Sequence, residues 1–230
     1  PMAMLGNYAP PSARPALAAM SAVALALAAA IAPYLAMTLR RIDPWWPFAL
    51  AAIAVMTAAL GLFHVDRTLP KSIKIKLPLR SVRQPRQYSP SALVFAAIAL
   101  TLAIGFQAQV LMSATQLSRV LSKELIEYYM PLFWGAFAAG GVIAAILLKR
   151  LDARIAMIAA SLAAACGALL GAIATNAQLV LIAHGVAGIA WGVLLTGLFS
   201  TALTCGPAGK AGRGAGIVFA ALALSAFMRI

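Results

Sequence analysis

Long apolar runs are the feature that most constrains the fold of this chain. The hydrocarbon core of a bilayer is about 30 Å thick and each helical residue rises about 1.5 Å, so a run of about 20 apolar residues can cross it. Six long runs span 16–39, 47–65, 92–116, 131–148, 155–174 and 177–203, and a shorter one spans 215–228. They predict an all-α fold, a polytopic transmembrane helix bundle with about seven membrane helices.

The amino-acid composition favours the same class of protein. Hydrophobic residues make up 63% of the chain and charged residues only 10%, with a mean hydropathy of +0.95. A soluble domain of this size would need far more charged surface, whereas helices that face lipid satisfy their own backbone hydrogen bonds. We therefore expect membrane lipids to surround most of the chain.

Lysine and arginine are distributed unevenly between the connectors. If successive helices alternate in direction, one side of the membrane receives Arg14, Arg67, Lys71, Lys74, Lys76, Arg80, Arg83, Arg86, Lys149, Arg150, Arg154, Lys210 and Arg213. The other side receives Arg40, Arg41, Arg119 and Lys123. Because basic connectors stay in the cytoplasm, this predicts a multi-pass protein of a bacterial-type inner membrane with a cytoplasmic N-terminal end. Trp45 and Trp46 then lie at the periplasmic interface, and the net charge of +13 needs no nucleic-acid partner.

The sequence carries no recognised catalytic pattern. It has no nucleophile elbow, HExxH motif, P-loop or pair of acids, and only five acidic residues in total. The two cysteines, Cys166 and Cys205, lack CxxC spacing and a flanking histidine, so we expect no disulfide and no metal site. We predict that the protein is not an enzyme and uses no cofactor or metal. Transport would then run on an ion gradient or on the gradient of the solute itself.

A polar stripe runs along the predicted helix 92–116. Its members lie three or four residues apart on one arc of the helix: Thr101, Gly105, Gln109, Ser113 and Gln116. An unpaired amide is costly in hydrocarbon, so we expect the stripe to face away from lipid. Two interpretations stay open, since these side chains either line a path for a small-molecule solute or form hydrogen bonds that hold helices together. Gln107 faces elsewhere and is the weaker candidate for solute binding.

His184 begins a second face of small and polar residues, which continues at four-residue steps through Gly188, Gly192 and Thr196. Small residues allow the backbone of a neighbouring helix to approach closely. An ionisable group inside the membrane is a functional candidate, and histidine changes charge near neutral pH. His184 is therefore a candidate solute ligand, with protons as a candidate co-transported species. The alternative is a hydrogen-bonded histidine that only stabilises the bundle.

Two segments are candidate moving parts. Pro33 interrupts the backbone hydrogen bonds of the first long helix beside Tyr34, which predicts a kink that acts either as a hinge or as a static bend. Arg150, Asp152 and Arg154 lie in one short turn. An ion pair of Asp152 with either arginine would form a cytoplasmic latch. The alternative for this turn is a basic anchor on the cytoplasmic side.

Three segments resemble the major facilitator superfamily, a family of transporters with two six-helix halves joined by a long cytoplasmic loop. Residues 28–36, AAAIAPYLA, resemble the GxxxGPxxG pattern in the fifth helix of many of its antiporters. Residues 67–70, RTLP, follow the next helix, as a similar stretch does in that family. Residues 145–154, AILLKRLDAR, resemble the GxLaDrxGrR turn of the second half, with Lys149 at the acidic position of the motif and Asp152 at a glycine position.

This resemblance implies that the chain covers helices five to eleven of a longer protein. It places the end of the first half in 1–65, a basic cytoplasmic linker in 66–91 and an incomplete second half in 92–230. The implied function is secondary transport of a small solute by alternating access. The alternative is an accessory or scaffold subunit that keeps this fold, binds partner subunits in a larger membrane complex and does not transport.

Overall fold

The computed structural model describes residues 14–68, 92–204 and 211–228, and the regular structure in these residues is helical. The helices are α1 (Arg14–Arg40), α2 (Trp46–Thr68), α3 (Ala92–Val120), α4 (Lys123–Tyr129), α5 (Leu132–Arg150), α6 (Ala153–Ile173), α7 (Ala177–Thr204) and α8 (Ala211–Phe227). The predicted all-α fold is confirmed. Most of the predicted linker, from residue 69 onward, and the basic turn at Lys210 lie outside the described residues.

Five stretches of the described chain are long and apolar enough to cross a membrane: Ala16–Arg40, Ala92–Val120, Lys123–Arg150, Ala153–Ile173 and Ala177–Leu203. Two shorter apolar stretches, Trp46–Gly61 and Arg213–Phe227, coincide with the remaining predicted crossings. Large apolar side chains such as Leu93 and Phe48 are 83% and 75% exposed, which suits a lipid environment and is unfavourable in water. The chain is a membrane helix bundle, as predicted.

The connector between α3 and α5 differs from the sequence prediction. Helix α3 continues past the predicted end at Gln116 to Val120, and α4 was not predicted at all. Helix α4 has only seven residues and begins Lys123-Glu124, so it gave no apolar run to detect. Both differences add helix at the same connector, between α3 and α5.

The described residues form two compact units, and the larger one contains 14–31, 92–204 and 211–228. Helix α7 is its central element, because α3, α5, α6 and α8 all pack against it. Leu194, Thr196 and Leu198 in the second half of α7 are almost completely inaccessible. A helix that is apolar on every side is typical of such a central position.

Glycine residues allow α5 and α7 to touch through their backbones. A Cβ atom added at Gly192 would collide with the Phe137 carbonyl oxygen, and one added at Gly140 would collide with the backbone of Ile189. Close approach of this kind is how helices associate in lipid, where no hydrophobic effect drives them together. The close approach predicted for the small face of α7 is therefore confirmed, with α5 as the neighbouring helix.

Aromatic rings from three helices fill the space beside this contact. Phe106 of α3 lies at their centre, with ring centroids 5.6 Å from Trp191 and 5.9 Å from Phe137. Phe133 and Trp134 complete the cluster at 6.4 Å and 6.0 Å from Phe106. Tilted and edge-on pairs at these distances are favourable. The cluster joins α3 to α5 and α7 at the level of Trp191.

The smaller unit contains residues 32–68, which are the end of α1 and the whole of α2. In the turn between these helices, the Trp45 backbone N–H donates to the Asp43 carboxylate at 3.2 Å. The rings of Trp45 and Trp46 stack with centroids 4.9 Å apart and are exposed, as aromatic anchors at a membrane interface are. Which membrane face they occupy stays a prediction.

Candidate functional site

Three members of the predicted polar stripe are buried on one face of α3. Gln109, Ser113 and Gln116 are 5%, 8% and 7% exposed. The Ser113 hydroxyl donates to the Gln109 carbonyl oxygen at 2.8 Å, and the Gln109 amide nitrogen lies 3.4 Å from the same hydroxyl. Because 3.4 Å is longer than an ordinary hydrogen bond, the Gln109 amide retains most of its bonding capacity.

His184 connects α7 to this face of α3. Its ring is 1% exposed. The Nδ1 atom lies 2.8 Å from the carbonyl oxygen of Val180, one turn earlier in α7, and the Nε2 atom lies 3.2 Å from the carbonyl oxygen of Ser113. The two polar faces that the sequence indicates separately therefore meet at one point inside the bundle.

An open cavity of about 300 Å³ lies beside Gln109, between α3, α6 and α7, and Met112 and Ser161 of its wall are exposed. Met112, Trp191 and Leu194 supply large apolar surfaces to its wall, while Gln109 and Ser161 add an amide and a hydroxyl. The Ser161 hydroxyl already donates to the Met157 carbonyl oxygen at 2.8 Å. The Gln109 amide and the Trp191 indole nitrogen Nε1, which has no hydrogen-bond partner among the described residues, thus hold the unused hydrogen-bonding capacity of the wall residues. The volume is at the small end for ligand sites.

Gln116 lies further along the same face of α3 and contacts α6. Its amide lies directly over Gly171, in space that a side chain at position 171 would occupy. Gly167, one turn earlier, similarly brings α6 against Ala187 of α7. The buried part of the stripe therefore faces α6 and α7, the two helices that bound the cavity together with α3.

The N-terminal end of the stripe, at Thr101, does not face inward as expected. Thr101 is exposed, and its hydroxyl donates to the Ala97 carbonyl oxygen at 3.0 Å. A threonine satisfied by the preceding turn of its own helix needs no neighbouring helix, so it can face lipid. Gly105 lies against the Trp191 ring and lines the cavity, and Gln107 is half-buried.

The small face of α7 beyond His184 is covered by α5. Cβ atoms added at Gly188 or Gly192 would meet the backbone of α5 at Phe133 and Phe137. Thr196 is completely buried, and its hydroxyl has no hydrogen-bond partner among the described residues. His184 is the residue of this face that contacts α3, at the Ser113 carbonyl oxygen.

None of the predicted moving parts is among the residues that line the cavity. Pro33 lies inside α1 without ending it, with Tyr34 exposed beside it. Asp152 caps the N-terminus of α6, because its carboxylate accepts the backbone N–H of Arg154 at 2.8 Å. Arg150 is the exposed last residue of α5. The structure thus gives Asp152 a capping role, and the latch and the hinge stay predictions.

Sequence reasoning did not single out Trp191, Ser161 or Gly171. The spacing of Gly167 and Gly171, two small residues four apart, is a signal that predicts a close helix contact. Trp191 lies about two helical turns after His184 in α7. The sequence does not show that α3 becomes its neighbour, so its place in the cavity wall is known only from the packing of the helices. A lone serine in an apolar helix gives no such signal.

Comparison with known proteins adds a family to these observations. A family model described as Major Facilitator Superfamily matches residues 1–228. The comparison with curated proteins and the comparison with solved structures each found no match.

Proposed function

The chain belongs to the Major Facilitator Superfamily, and from this membership we propose that it moves a small solute across the membrane by alternating access. It is a multi-pass membrane protein of a transporter family, surrounded by lipid. In the proposed mechanism, two helical halves open a central site to each side in turn. We place the protein in a bacterial-type inner membrane with residue 14 on the cytoplasmic side, from the distribution of basic residues.

The cavity beside Gln109 is the observation that supports this proposal most directly. An amide that is 5% exposed and makes one long hydrogen bond is unfavourable in an apolar bundle unless another partner completes its bonds. The partner that we propose is the solute. Ser113, Gln116 and His184 would extend the polar surface from Gln109 along α3 and α7.

The wall of the cavity indicates the class of solute. Met112, Trp191 and Leu194 offer apolar surface, and no charged side chain lines the cavity among the described residues. A charged solute would lose its hydration there without gaining an opposite charge. We therefore propose a small uncharged solute with an apolar body and one hydrogen-bonding group that pairs with Gln109.

The test is counterflow in vesicles that contain the purified full-length protein, with a panel of labelled uncharged amphipathic compounds and with sugars and amino acids for comparison. Replacement Gln109→Leu keeps a side chain of roughly similar size and removes the amide. We expect it to reduce counterflow of the transported compound by about tenfold, which corresponds to about 1.4 kcal/mol of lost interaction.

The matched control is Ser118→Ala on the same helix. Ser118 is exposed and its hydroxyl donates to the Thr115 carbonyl oxygen at 2.9 Å, so this replacement should leave counterflow unchanged. Equal activity in Gln109→Leu and wild type would refute the site. If no compound moves and the chain always copurifies with the same membrane protein, the accessory-subunit alternative replaces the transport proposal.

A further inference from the structure

Two arginines with exposed side chains lie where α1 ends and the turn to α2 begins. Arg40 is the last residue of α1, and Arg41 follows it. Among the described residues, neither guanidinium forms an ion pair or a hydrogen bond. The carboxylate of Asp43, three residues after Arg40, instead accepts the backbone N–H of Trp45 at 3.2 Å. Both positive charges are therefore available to a partner outside the described chain.

The backbone of this turn does not use the two arginine side chains. An arginine near a helix C-terminus often binds the last carbonyl oxygens of its helix. Here the Thr38 carbonyl oxygen accepts the backbone N–H of Arg41 at 3.3 Å. The Leu39 carbonyl oxygen accepts the backbone N–H groups of Ile42 and Asp43 at 3.0 and 3.1 Å. Helix capping thus does not account for the arginines.

The length of α1 places this turn at the level of the lipid headgroups. The apolar stretch Ala16–Arg40 has 25 residues, which rise about 37 Å, whereas the hydrocarbon core is about 30 Å thick. The stacked and exposed rings of Trp45 and Trp46 belong to the same turn, and indole rings favour the headgroup level. The two guanidinium groups therefore lie close to the layer that contains the lipid phosphates.

The side chains of the turn match the successive parts of a glycerophospholipid. A guanidinium binds a phosphate through paired, charge-assisted hydrogen bonds. An indole N–H is a donor that can bind an ester carbonyl oxygen. Ile42 and Phe48, which are 69% and 75% exposed, add apolar surface beside which an acyl chain can lie. The turn thus offers contacts to the phosphate, the esters and the chains of one lipid.

We propose that Arg40 and Arg41 bind the phosphate of an anionic phospholipid, whose glycerol esters and acyl chains lie against Trp45 and Trp46. Two arginines and one aspartate give the turn a net positive charge, which attracts a headgroup of net negative charge. The cation of a zwitterionic headgroup would lie beside uncompensated positive charge. The bound lipid holds the end of α1 and the start of α2 at the membrane surface. This site is independent of the proposed transport function.

Fluorescence quenching by brominated lipids tests the site in vesicles that contain the purified full-length protein. The chain has four tryptophans, and Trp134→Phe with Trp191→Phe leaves only the stacked pair as the reporter. Brominated phosphatidylglycerol or brominated phosphatidylcholine replaces an increasing share of a phosphatidylcholine bilayer. Each arginine near an anionic lipid contributes about fivefold to binding. We therefore expect half-maximal quenching at a mole fraction of phosphatidylglycerol at least about fivefold lower than that of phosphatidylcholine.

The double variant Arg40→Gln with Arg41→Gln should bring this ratio close to unity. The matched control is Arg119→Gln with Lys123→Gln, which removes the same charge from two exposed side chains on the side of the membrane where Arg40 and Arg41 are predicted to lie. The control should keep the preference for phosphatidylglycerol. Arg40→Lys with Arg41→Lys keeps the charge but not the paired hydrogen bonds, and it should retain part of the preference.

Each result decides for or against the site. Equal quenching by the two lipids in the arginine-containing protein would overturn the inference, and so would stronger quenching by brominated phosphatidylethanolamine. Loss of the preference in both double variants would mean that only the net charge of the protein matters, which also overturns it. If the tryptophan replacements prevent folding, native mass spectrometry of wild type and the two double variants answers the same question. Wild type and the control should then retain more phosphatidylglycerol than Arg40→Gln with Arg41→Gln, and equal retention would refute the site.

Discussion

The side-chain amide of Gln116 lies directly over the Cα atom of Gly171. A Cβ atom at position 171 would be 2.6 Å from both the oxygen and the nitrogen of that amide. Real contacts of a Cβ atom are not this short, so the position of Gln116 in the bundle depends on the absence of a side chain at Gly171. Since Gln116 is 7% exposed, the amide has little free space into which it can move.

This relationship predicts that Gly171→Ala destabilises the protein by about 1 kcal/mol, at the low end for overpacking, because the obstacle is the end of a flexible side chain and because alanine favours the helix. The added methyl group must displace the amide or separate α3 from α6. The free energy of unfolding in detergent, measured by SDS titration, checks the change. The double variant Gln116→Ala with Gly171→Ala should be more stable than Gly171→Ala alone, because truncation of Gln116 makes room for the methyl group. Additive effects of the two replacements would contradict the contact.

The backbone contact between α5 and α7 predicts a sharp difference between two glycines of one helix. Gly192→Ala should destabilise the protein by about 3 kcal/mol or more, because its methyl group would meet the Phe137 carbonyl oxygen and the backbone of Gly141. At Gly185 an added Cβ atom has no neighbour within 4 Å. Gly185→Ala should therefore change the free energy of unfolding by less than about 1 kcal/mol. Equal effects at the two positions would show that α7 does not pack on α5 in this way.

The helical class of the fold could be predicted from the sequence because each segment that crosses lipid must form a helix of its own. Each long apolar run must satisfy its own backbone hydrogen bonds in hydrocarbon, so α3 and α7 could be predicted without knowledge of their neighbours. Helix α4 was missed because its charged first turn ends the apolar pattern. The boundary of the smaller unit at Ala32 likewise has no sequence signal apart from the nearby Pro33.

The candidate site was predictable only to the level of helix faces. Gln109, Ser113 and Gln116 share an arc by their spacing, and this periodicity is visible in the sequence. That His184 reaches Ser113, 71 positions away in the chain, depends on which helices become neighbours. Thr101 shares the spacing but faces outward, because its hydroxyl is satisfied by its own helix. Periodicity alone does not distinguish these two cases.

The unpaired hydroxyl of Thr196 predicts a stabilising replacement. Thr196 is 0% exposed and its hydroxyl has no partner in the described part of the chain. Thr196→Val replaces the hydroxyl with a methyl group of similar size, and we expect the free energy of unfolding to rise by about 1 kcal/mol or more. Thr196→Ser keeps the hydroxyl and removes the methyl group, so it should give no such gain. A loss of stability in Thr196→Val would indicate that the hydroxyl has a partner in the functional protein.

Two replacements of Asp152 distinguish its cap from the predicted latch. Asp152→Ala removes the oxygen that accepts the Arg154 N–H and should destabilise α6 by about 1 kcal/mol. Asp152→Asn keeps a capping oxygen but removes the charge, so its unfolding should resemble that of wild type. If counterflow also stays unchanged in Asp152→Asn, the ion-pair latch is rejected and the cap suffices. Lower counterflow with unchanged stability would support the latch.

The predicted orientation can be tested at the two ends of the α4–α5 segment. Ser122 precedes α4, Lys149 lies in the last turn of α5, and both are exposed. The 19 residues of α5 span about 28 Å, close to the thickness of the hydrocarbon core, so the two ends should lie on opposite sides. In a background with Cys166→Ala and Cys205→Ala, we expect a membrane-impermeant maleimide to label Ser122→Cys in intact bacterial cells and Lys149→Cys only after lysis. The reverse pattern would place the basic turn outside, against the bias of lysine and arginine, and labelling of both in intact cells would mean that α5 does not cross.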